Sequence, residues 1–197
     1  MNACCPTEAD NLQQRRTLWT VLLINAFMFA AELGVGIWAD STSLIADSLD
    51  MLADASVYSI SLYAVGRAAS IRRGAARFNG SLQLALGIGV LVDASRRAFL
   101  GSDPVATLMM WMGTAALIAN IACLLILLKH RRGEVNIRAS FICSINDVVA
   151  NAGVILSGLL VQITGSRFPD LIIGLIISAV VVRGAIQILA EARRAEV

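Results

Sequence analysis

The stretch Ser43–Tyr63 reads SLIADSLDMLADASVYSISLY, and it is the most informative part of the chain. It is apolar enough to cross a lipid bilayer, yet it carries Asp50 and Asp54, four residues apart. Residues at i and i+4 share one face of a helix. A carboxylate at bilayer depth costs about 2.5–3.5 kcal/mol on insertion scales. Because a bound cation is the simplest counter-charge for two such groups, the stretch indicates a membrane protein that handles metal ions.

The composition supports this interpretation. Of the 197 residues, 57% are hydrophobic and only 15% are charged, and the mean hydropathy is +0.74. These values exclude a disordered chain and an ordinary soluble domain. The basic residues form short clusters rather than one continuous stripe, so we expect no binding to nucleic acid.

Six segments are long and apolar enough to cross the hydrocarbon core, which takes about 20 residues. The predicted fold is therefore an all-α membrane protein with six transmembrane helices. We expect residues 1–16 to form a cytoplasmic N-terminal tail, residues 17–191 the six-helix domain and residues 192–197 a short cytoplasmic tail. The predicted spans are Thr17–Ala39, Thr42–Gly66, Asn79–Leu100, Val105–Leu128, Ala139–Thr164 and Asp170–Glu191.

The distribution of basic residues predicts the orientation. With the N-terminus in the cytoplasm, twelve of the 16 Lys and Arg residues fall on the cytoplasmic side and three on the outer side, while Arg183 lies in the sixth span. Cytoplasmic connections carry the excess of Lys and Arg in membrane proteins. We therefore expect both termini in the cytoplasm. Arg96 and Arg97 are the exception, and we expect their side chains to reach the outer interface.

A second polar face lies on the fifth span, where Cys143, Asp147 and Asn151 follow one another at four-residue spacing. Pairing this face with that of Asp50 and Asp54 predicts a metal site with three carboxylates and one thiol. Such a mixed set suits a tetrahedral, borderline-soft ion such as Zn²⁺ or Cd²⁺, whereas Mg²⁺ and Ca²⁺ prefer more oxygen ligands. Asn151 is a possible accessory ligand, or it hydrogen-bonds a neighbouring helix.

Other polar residues are candidates for accessory roles. Asp47 lies one turn further out than Asp50, where it would serve as an entry or exit station for the ion. Glu32 and Asp93 are charged residues inside spans, suited to lining a cavity or moving protons. The adjacent Cys4 and Cys5 are either a capture site for a soft metal at the cytoplasmic mouth or incidental thiols of a tail.

Two runs resemble the signatures of the cation diffusion facilitators. Residues 43–54, SLIADSLDMLAD, are similar to the second-span signature S-x-x-L-L-A-D-x-x-[HD]-x-x-x-D. Residues 136–147, NIRASFICSIND, are similar to the fifth-span signature N-x-R-x-A-x-x-H-x-x-x-D. By this resemblance Asp50, Asp54 and Asp147 fall on metal-ligand positions, and Cys143 falls where the family usually has His or Asp. The replacement of His by Cys favours softer ions, Cd²⁺ in particular.

The resemblance also implies an activity and partners. Family members export divalent metals from the cytoplasm in exchange for protons, usually as homodimers. We therefore expect metal–proton antiport in a bacterial inner membrane, with the metal as cargo and no resident cofactor. The family usually adds a cytoplasmic C-terminal domain that helps it to dimerise. The sequence ends at Val197, so we expect dimerisation through membrane helices, if it occurs.

Two other functions are compatible with acidic residues in a membrane protein. CDP-alcohol phosphotransferases also bind metal through Asp clusters, but their motif D-x-x-D-G-x-x-A-R is missing, and Ala46 occupies a position where their second motif requires Gly. We therefore expect no enzyme. The remaining alternative is a metal-binding membrane subunit or sensor that does not transport, which would use the same ligands.

Overall fold

The computed structural model describes residues 12–64, 69–129 and 137–194, and within these ranges it contains helices and no strand. The order of elements confirms the predicted all-α membrane fold. The helices are α1 (Leu12–Trp38), α2 (Thr42–Ala64), α3 (Ala69–Leu100), α4 (Ala106–Lys129), α5 (Ile137–Thr164) and α6 (Phe168–Arg194).

Most predicted spans match a helix closely, but α3 begins at Ala69 rather than at Asn79. The basic segment before Asn79 was assigned to a connection because its arginines lower the hydropathy. Its Ala and Arg residues nevertheless have high helix propensity. The backbone therefore continues as a helix beyond the apolar part, since hydropathy marks only the membrane-embedded portion of a helix.

Five helices have the length and hydropathy of membrane spans, and the chain is an integral membrane protein. The exception among the six is α2, which carries Asp47, Asp50 and Asp54. This helix packs against all five other helices. Large apolar side chains such as Phe27 and Trp111 are exposed on the surrounding helices, as a lipid-facing surface requires. The polar helix is thus enclosed by the apolar ones.

Three short connections, residues 39–41, 101–105 and 165–167, lie at one end of the bundle, here called the short-connector end. The backbone N–H of Val105 donates to the carbonyl of Ala39 at 2.9 Å. The Arg167 Nη2 donates to the carbonyl of Ala98 at 3.2 Å. These contacts tie the α1–α2, α3–α4 and α5–α6 connections to one another.

Each of these connections contains a residue with positive φ. Gly101 and Gly165 have φ of 101° and 63°, and their N–H groups donate to the carbonyls of Arg97 and Val161. This is the usual way in which a left-handed residue closes a helix. In the α1–α2 connection the residue is Asp40, with φ of 51°. Asp tolerates this conformation better than most residues with a side chain.

The carboxylate of Asp40 explains why a glycine would not serve at this position. Asp40 Oδ2 accepts the backbone N–H of Asp103 at 2.9 Å, and Asp40 Oδ1 forms an ion pair with Arg97. Arg97 also pairs with Asp93. The side chain of Arg96 is 58% exposed, whereas that of Arg97 is only 8% exposed and is enclosed by protein. Its charge is neutralised within the protein because two carboxylates surround it.

Candidate metal site

The first turn of α2 is held by a buried carboxylate from α6. Asp170 is fully buried and accepts the N–H groups of Thr42 at 2.7 Å and Ser43 at 3.0 Å. The hydroxyls of Ser41 and Ser43 also donate to Asp170 Oδ1, each at 2.7 Å. The unsatisfied N–H groups of a helix start attract an anion, so this contact fixes the start of α2 against α6. The sequence places Asp170 at the head of a span but does not reveal this role.

A glycine allows the two helices to approach this closely. A Cβ atom on Gly174 of α6 would lie 2.7 Å from Thr42 Cγ2 and 2.8 Å from the Thr42 carbonyl carbon. Real Cβ atoms essentially never approach heavy atoms so closely, and one of these is backbone. The position, depth and rotation of α2 therefore depend on this contact together with the Asp170 bonds.

The two predicted polar faces meet between α2 and α5. The carboxyl group of Asp147 lies within hydrogen-bonding reach of the carboxyl groups of Asp50 and Asp54. We call these three residues the α2–α5 carboxylate cluster. Two half-buried residues from one helix and one from another, more than 90 positions away in sequence, thus lie close together. This is the pairing on which the predicted metal site depends.

The predicted span ends left Asp50 and Asp147 about 10 Å apart in depth, at 1.5 Å of helix rise per residue. The structure nevertheless brings the two carboxyl groups together, and the length of α5 shows why span ends are a poor guide to depth. This helix has 28 residues, which amounts to about 42 Å of helix, against about 30 Å for the hydrocarbon core. Such a helix tilts or projects from the membrane, so the depth of one residue does not follow from the ends of an apolar window.

The structure does not describe the side chains of the three cysteines that were predicted to bind metal. Cys143 lies on α5, but its side chain is outside the described residues, as are Cys4 and Cys5. Among the residues that are described, no three His, Cys, Asp or Glu side chains form a ready metal-binding group. The α2–α5 carboxylate cluster has Asp147 between Asp50 and Asp54. Binding an ion there would take a change of side-chain rotamers and a further ligand.

Asn151 is completely buried one turn along α5 from Asp147. Its Nδ2 donates to the backbone carbonyl of Asp147 at 2.8 Å, and its Oδ1 has no hydrogen-bond partner. The amide therefore bonds within its own helix rather than to a neighbouring one. Its free oxygen is available to a ligand.

Two further predicted residues lie next to the cluster. Glu32 of α1 and Asp47 of α2 face each other, and the charge of Asp50 acts on both. The exposed fractions of Glu32 and Asp47 are 0% and 1%. None of their four carboxyl oxygens has a hydrogen-bond partner. Asp93, the other acidic candidate, is instead paired with Arg96 and Arg97.

The structure adds two residues to this region that the sequence did not single out. Cys123 of α4 is buried and near enough to Asp54 and Asp147 for their charges to act on its thiol. The charges of the same two carboxylates and of Cys123 also act on the side chain of Tyr58 in α2. Asn25 Nδ2 donates to Cys123 Sγ at 3.8 Å. The sequence alone favours a packing role for Cys123, because no candidate ligand lies one turn away on α4. Its neighbours Asn25, Asp54 and Asp147 come from other helices.

A comparison with protein families identifies this architecture. Residues 18–195 match the model of the cation efflux transmembrane domain. The chain belongs to the cation diffusion facilitator family. This match also confirms the expectation that the chain is not an enzyme.

Individual relatives of this cation diffusion facilitator carry transporter names. A zinc transporter ZitB of Yersinia pseudotuberculosis is 27% identical over 196 residues, which cover 93% of this chain and 62% of the relative. The metal cation efflux system protein CzcD of Cupriavidus metallidurans is 25% identical, over 82% of this chain and 55% of the relative. The ZitB of Escherichia coli K12 is 29% identical, over 90% and 60%. The chain thus spans about three fifths of the length of these curated relatives.

Proposed function

We propose that this chain exports a divalent metal cation, Zn²⁺ or Cd²⁺, across a membrane in exchange for protons. The observation that carries the proposal is the contact of Asp147 with both Asp50 and Asp54 inside a membrane bundle. In this proposal Cys143 completes the ligand set, because it stands one turn before Asp147 on α5. The names of the relatives, which are zinc transporters and a metal cation efflux protein, support this class of cargo.

Proton exchange follows from the chemistry of these ligands. A metal ion binds deprotonated carboxylates and thiolate, so loading expels the protons that the ligands carried. Release of the metal on the other side leaves the acids to take up protons again. A carboxylate-rich set also exchanges metal more readily than an all-thiolate cage, which suits a carrier. We place both termini in the cytoplasm of a bacterial inner membrane, and we propose a homodimer, as in the family.

Transport by purified protein in sealed vesicles tests this proposal. Zinc is added outside vesicles that contain a zinc-sensitive dye and a pH gradient, and a second dye reports proton counterflow. We expect Asp50→Asn and Asp147→Asn each to reduce both fluxes to the background of protein-free vesicles. Asp103→Asn is the matched control, because Asp103 is an exposed acid in the α3–α4 connection. Undiminished zinc flux in either cluster variant would overturn the proposal.

The alternative is a metal-binding membrane subunit or sensor that does not transport. It would use the same carboxylates, so it also predicts that wild-type protein binds zinc. The vesicle assay separates the two, since the alternative gives binding by wild-type protein without zinc flux. A panel of zinc, cadmium, cobalt, nickel and iron in an efflux-deficient host would then identify the cargo.

A further inference from the structure

The pairing of Glu32 with Asp47 differs from the pairing of Asp170, Asp93 and Asp40. Asp170 is equally buried, but four protein donors satisfy it. Asp93 and Asp40 are paired with arginine. The four oxygens of Glu32 and Asp47 have no hydrogen-bond donor from any other described residue. The fold therefore supplies donors to Asp170, Asp93 and Asp40 but supplies none from the other described residues to this pair.

A buried acid without a donor is costly, because burial removes the water that would otherwise solvate it. Two such acids facing each other add repulsion between like charges. The buried arginine at the short-connector end, Arg97, is already committed to Asp40 and Asp93. Among the contacts given for the described residues, none brings a positive charge to the Glu32–Asp47 pair, so protons or a bound cation are the species that would stabilise it.

The location of the pair favours the transported ion as that species. Glu32 precedes the end of α1 at Trp38 by six residues, and Asp47 follows the start of α2 at Thr42 by five. Both acids thus lie about 8 Å from the short-connector end, at 1.5 Å of rise per residue. The charge of Asp50, a member of the α2–α5 carboxylate cluster, acts on both. The pair therefore lies between the cluster and the short-connector end.

We propose that Glu32 and Asp47 form a second station for the transported dication, between the α2–α5 carboxylate cluster and the short-connector end. This inference rests on the proposed function. Two carboxylates without a described thiol or imidazole provide fewer and harder ligands than the main site, so the station binds a borderline-soft ion more weakly. Weak binding suits a position from which the ion leaves.

Zinc titration calorimetry on full-length protein in detergent tests this station. All variants carry Cys4→Ser and Cys5→Ser to remove a thiol pair that could bind zinc by itself. The parent protein carries only these two cysteine substitutions. We expect each parent chain to bind one zinc ion tightly (the tight equivalent) and a second zinc ion weakly (the weak equivalent). Glu32→Gln and Asp47→Asn should each weaken the weak equivalent at least about tenfold and leave the tight one in place. Asp50→Asn should remove the tight equivalent, and Asp103→Asn is the control for charge removal outside the bundle.

An unchanged weak equivalent in both Glu32→Gln and Asp47→Asn overturns the station, as does a parent protein that binds only the tight equivalent. Size-exclusion profiles and helical circular dichroism identify any variant that does not fold. A second measurement then uses the parent alone. Dicyclohexylcarbodiimide modifies buried carboxyl groups, and mass spectrometry locates the adducts. Zinc should protect Glu32 and Asp47, and labelling that zinc does not change overturns the proposal.

The station and the proposed function fail in different ways. Intact zinc flux in Asp50→Asn and Asp147→Asn, together with loss of the weak equivalent in Glu32→Gln, would refute the transport site and leave the station. Lost flux in the cluster variants with an unchanged weak equivalent in Glu32→Gln and Asp47→Asn would refute only the station.

Discussion

Asp170 on α6 accepts the backbone N–H of Thr42, the first residue of α2, at 2.7 Å. These residues are 128 positions apart in sequence. The bond joins the last helix to the helix that carries three of the acidic residues in the bundle. The Ser41 hydroxyl in turn accepts the N–H of Leu44 at 3.2 Å, which completes the N-terminal cap. The site is therefore positioned by a contact that includes none of the proposed metal ligands.

We expect Asp170→Asn to reduce stability by about 2–4 kcal/mol. The neutral amide has one acceptor oxygen, and charge-assisted bonds contribute about 1.5–3 kcal/mol. Its NH2 group would also face donors such as the Thr42 N–H. Thermal unfolding in detergent measures the change. Ser157→Ala is the control, since Ser157 Oγ reaches only Ser43 in this network. Equal melting temperatures for Asp170→Asn and wild type would contradict the role assigned to Asp170.

The close approach of α6 to α2 gives a second prediction. Gly174→Ala places a Cβ 2.8 Å from the Thr42 carbonyl carbon and 3.0 Å from the Ser43 nitrogen, so the helices must separate. Overpacking of this kind costs about 1–3 kcal/mol. Gly184, also on α6, has nothing within 4 Å of a Cβ. Gly184→Ala should be neutral or stabilising by up to about 1 kcal/mol. The two melting temperatures, measured side by side, test the contact, and a Gly174→Ala protein as stable as Gly184→Ala would refute it.

The neighbouring arginines of α3 should respond differently to mutation. Arg97→Met leaves Asp93 and Asp40 without their ionic partner. Because these two side chains are 31% and 44% exposed and water can solvate them, we expect a loss of about 1–3 kcal/mol. Arg96 has a side chain that is 58% exposed. Arg96→Met should cost less than about 1 kcal/mol, as exposed pairs do. Chemical denaturation or thermal unfolding of both variants measures the two losses of stability. Similar losses from the two substitutions would mean that the burial of Arg97 does not determine its contribution.

Metal preference should depend on Cys143. We expect Cys143→His to shift the ratio of cadmium to zinc flux toward zinc, because imidazole is a harder ligand than thiolate. Cys123→Ser is the matched control on α4. The Cys123 thiol accepts from Asn25, and serine can accept the same hydrogen bond, so the ratio should stay unchanged. If Cys123→Ser changes the ratio of cadmium to zinc flux and Cys143→His does not, then Cys123 rather than Cys143 is the thiol that binds the metal.

The six spans and the polar faces of α2 and α5 were predictable because they follow from local pattern. A window of apolar residues reports on membrane insertion, and a four-residue spacing reports on one helix face. The start of α3 was less predictable. Hydropathy does not detect a helix that continues through a polar segment, and α3 begins at Ala69 for this reason.

The roles of Arg97, Cys123 and Asp170 could not be predicted. Arg97 was expected at the interface, since an isolated arginine next to a membrane span usually reaches water. Its burial depends on Asp40, which lies 57 residues away in the α1–α2 connection. Cys123 lacks a ligand on its own helix, and its neighbours Asp54 and Asp147 come from α2 and α5. These roles depend on which helices are adjacent, and no local pattern reports that.

The sequence by itself determined that this chain is a six-helix membrane protein with two acidic faces, since apolar length and helical spacing are properties of contiguous residues. Only the tertiary structure decided that Asp147 meets Asp50 and Asp54, that Asp170 fixes the start of α2, and that Glu32 and Asp47 face each other without donors. The physical reason is that packing between helices sets their rotation and depth. Each of these contacts depends on the rotation and depth of two helices at once.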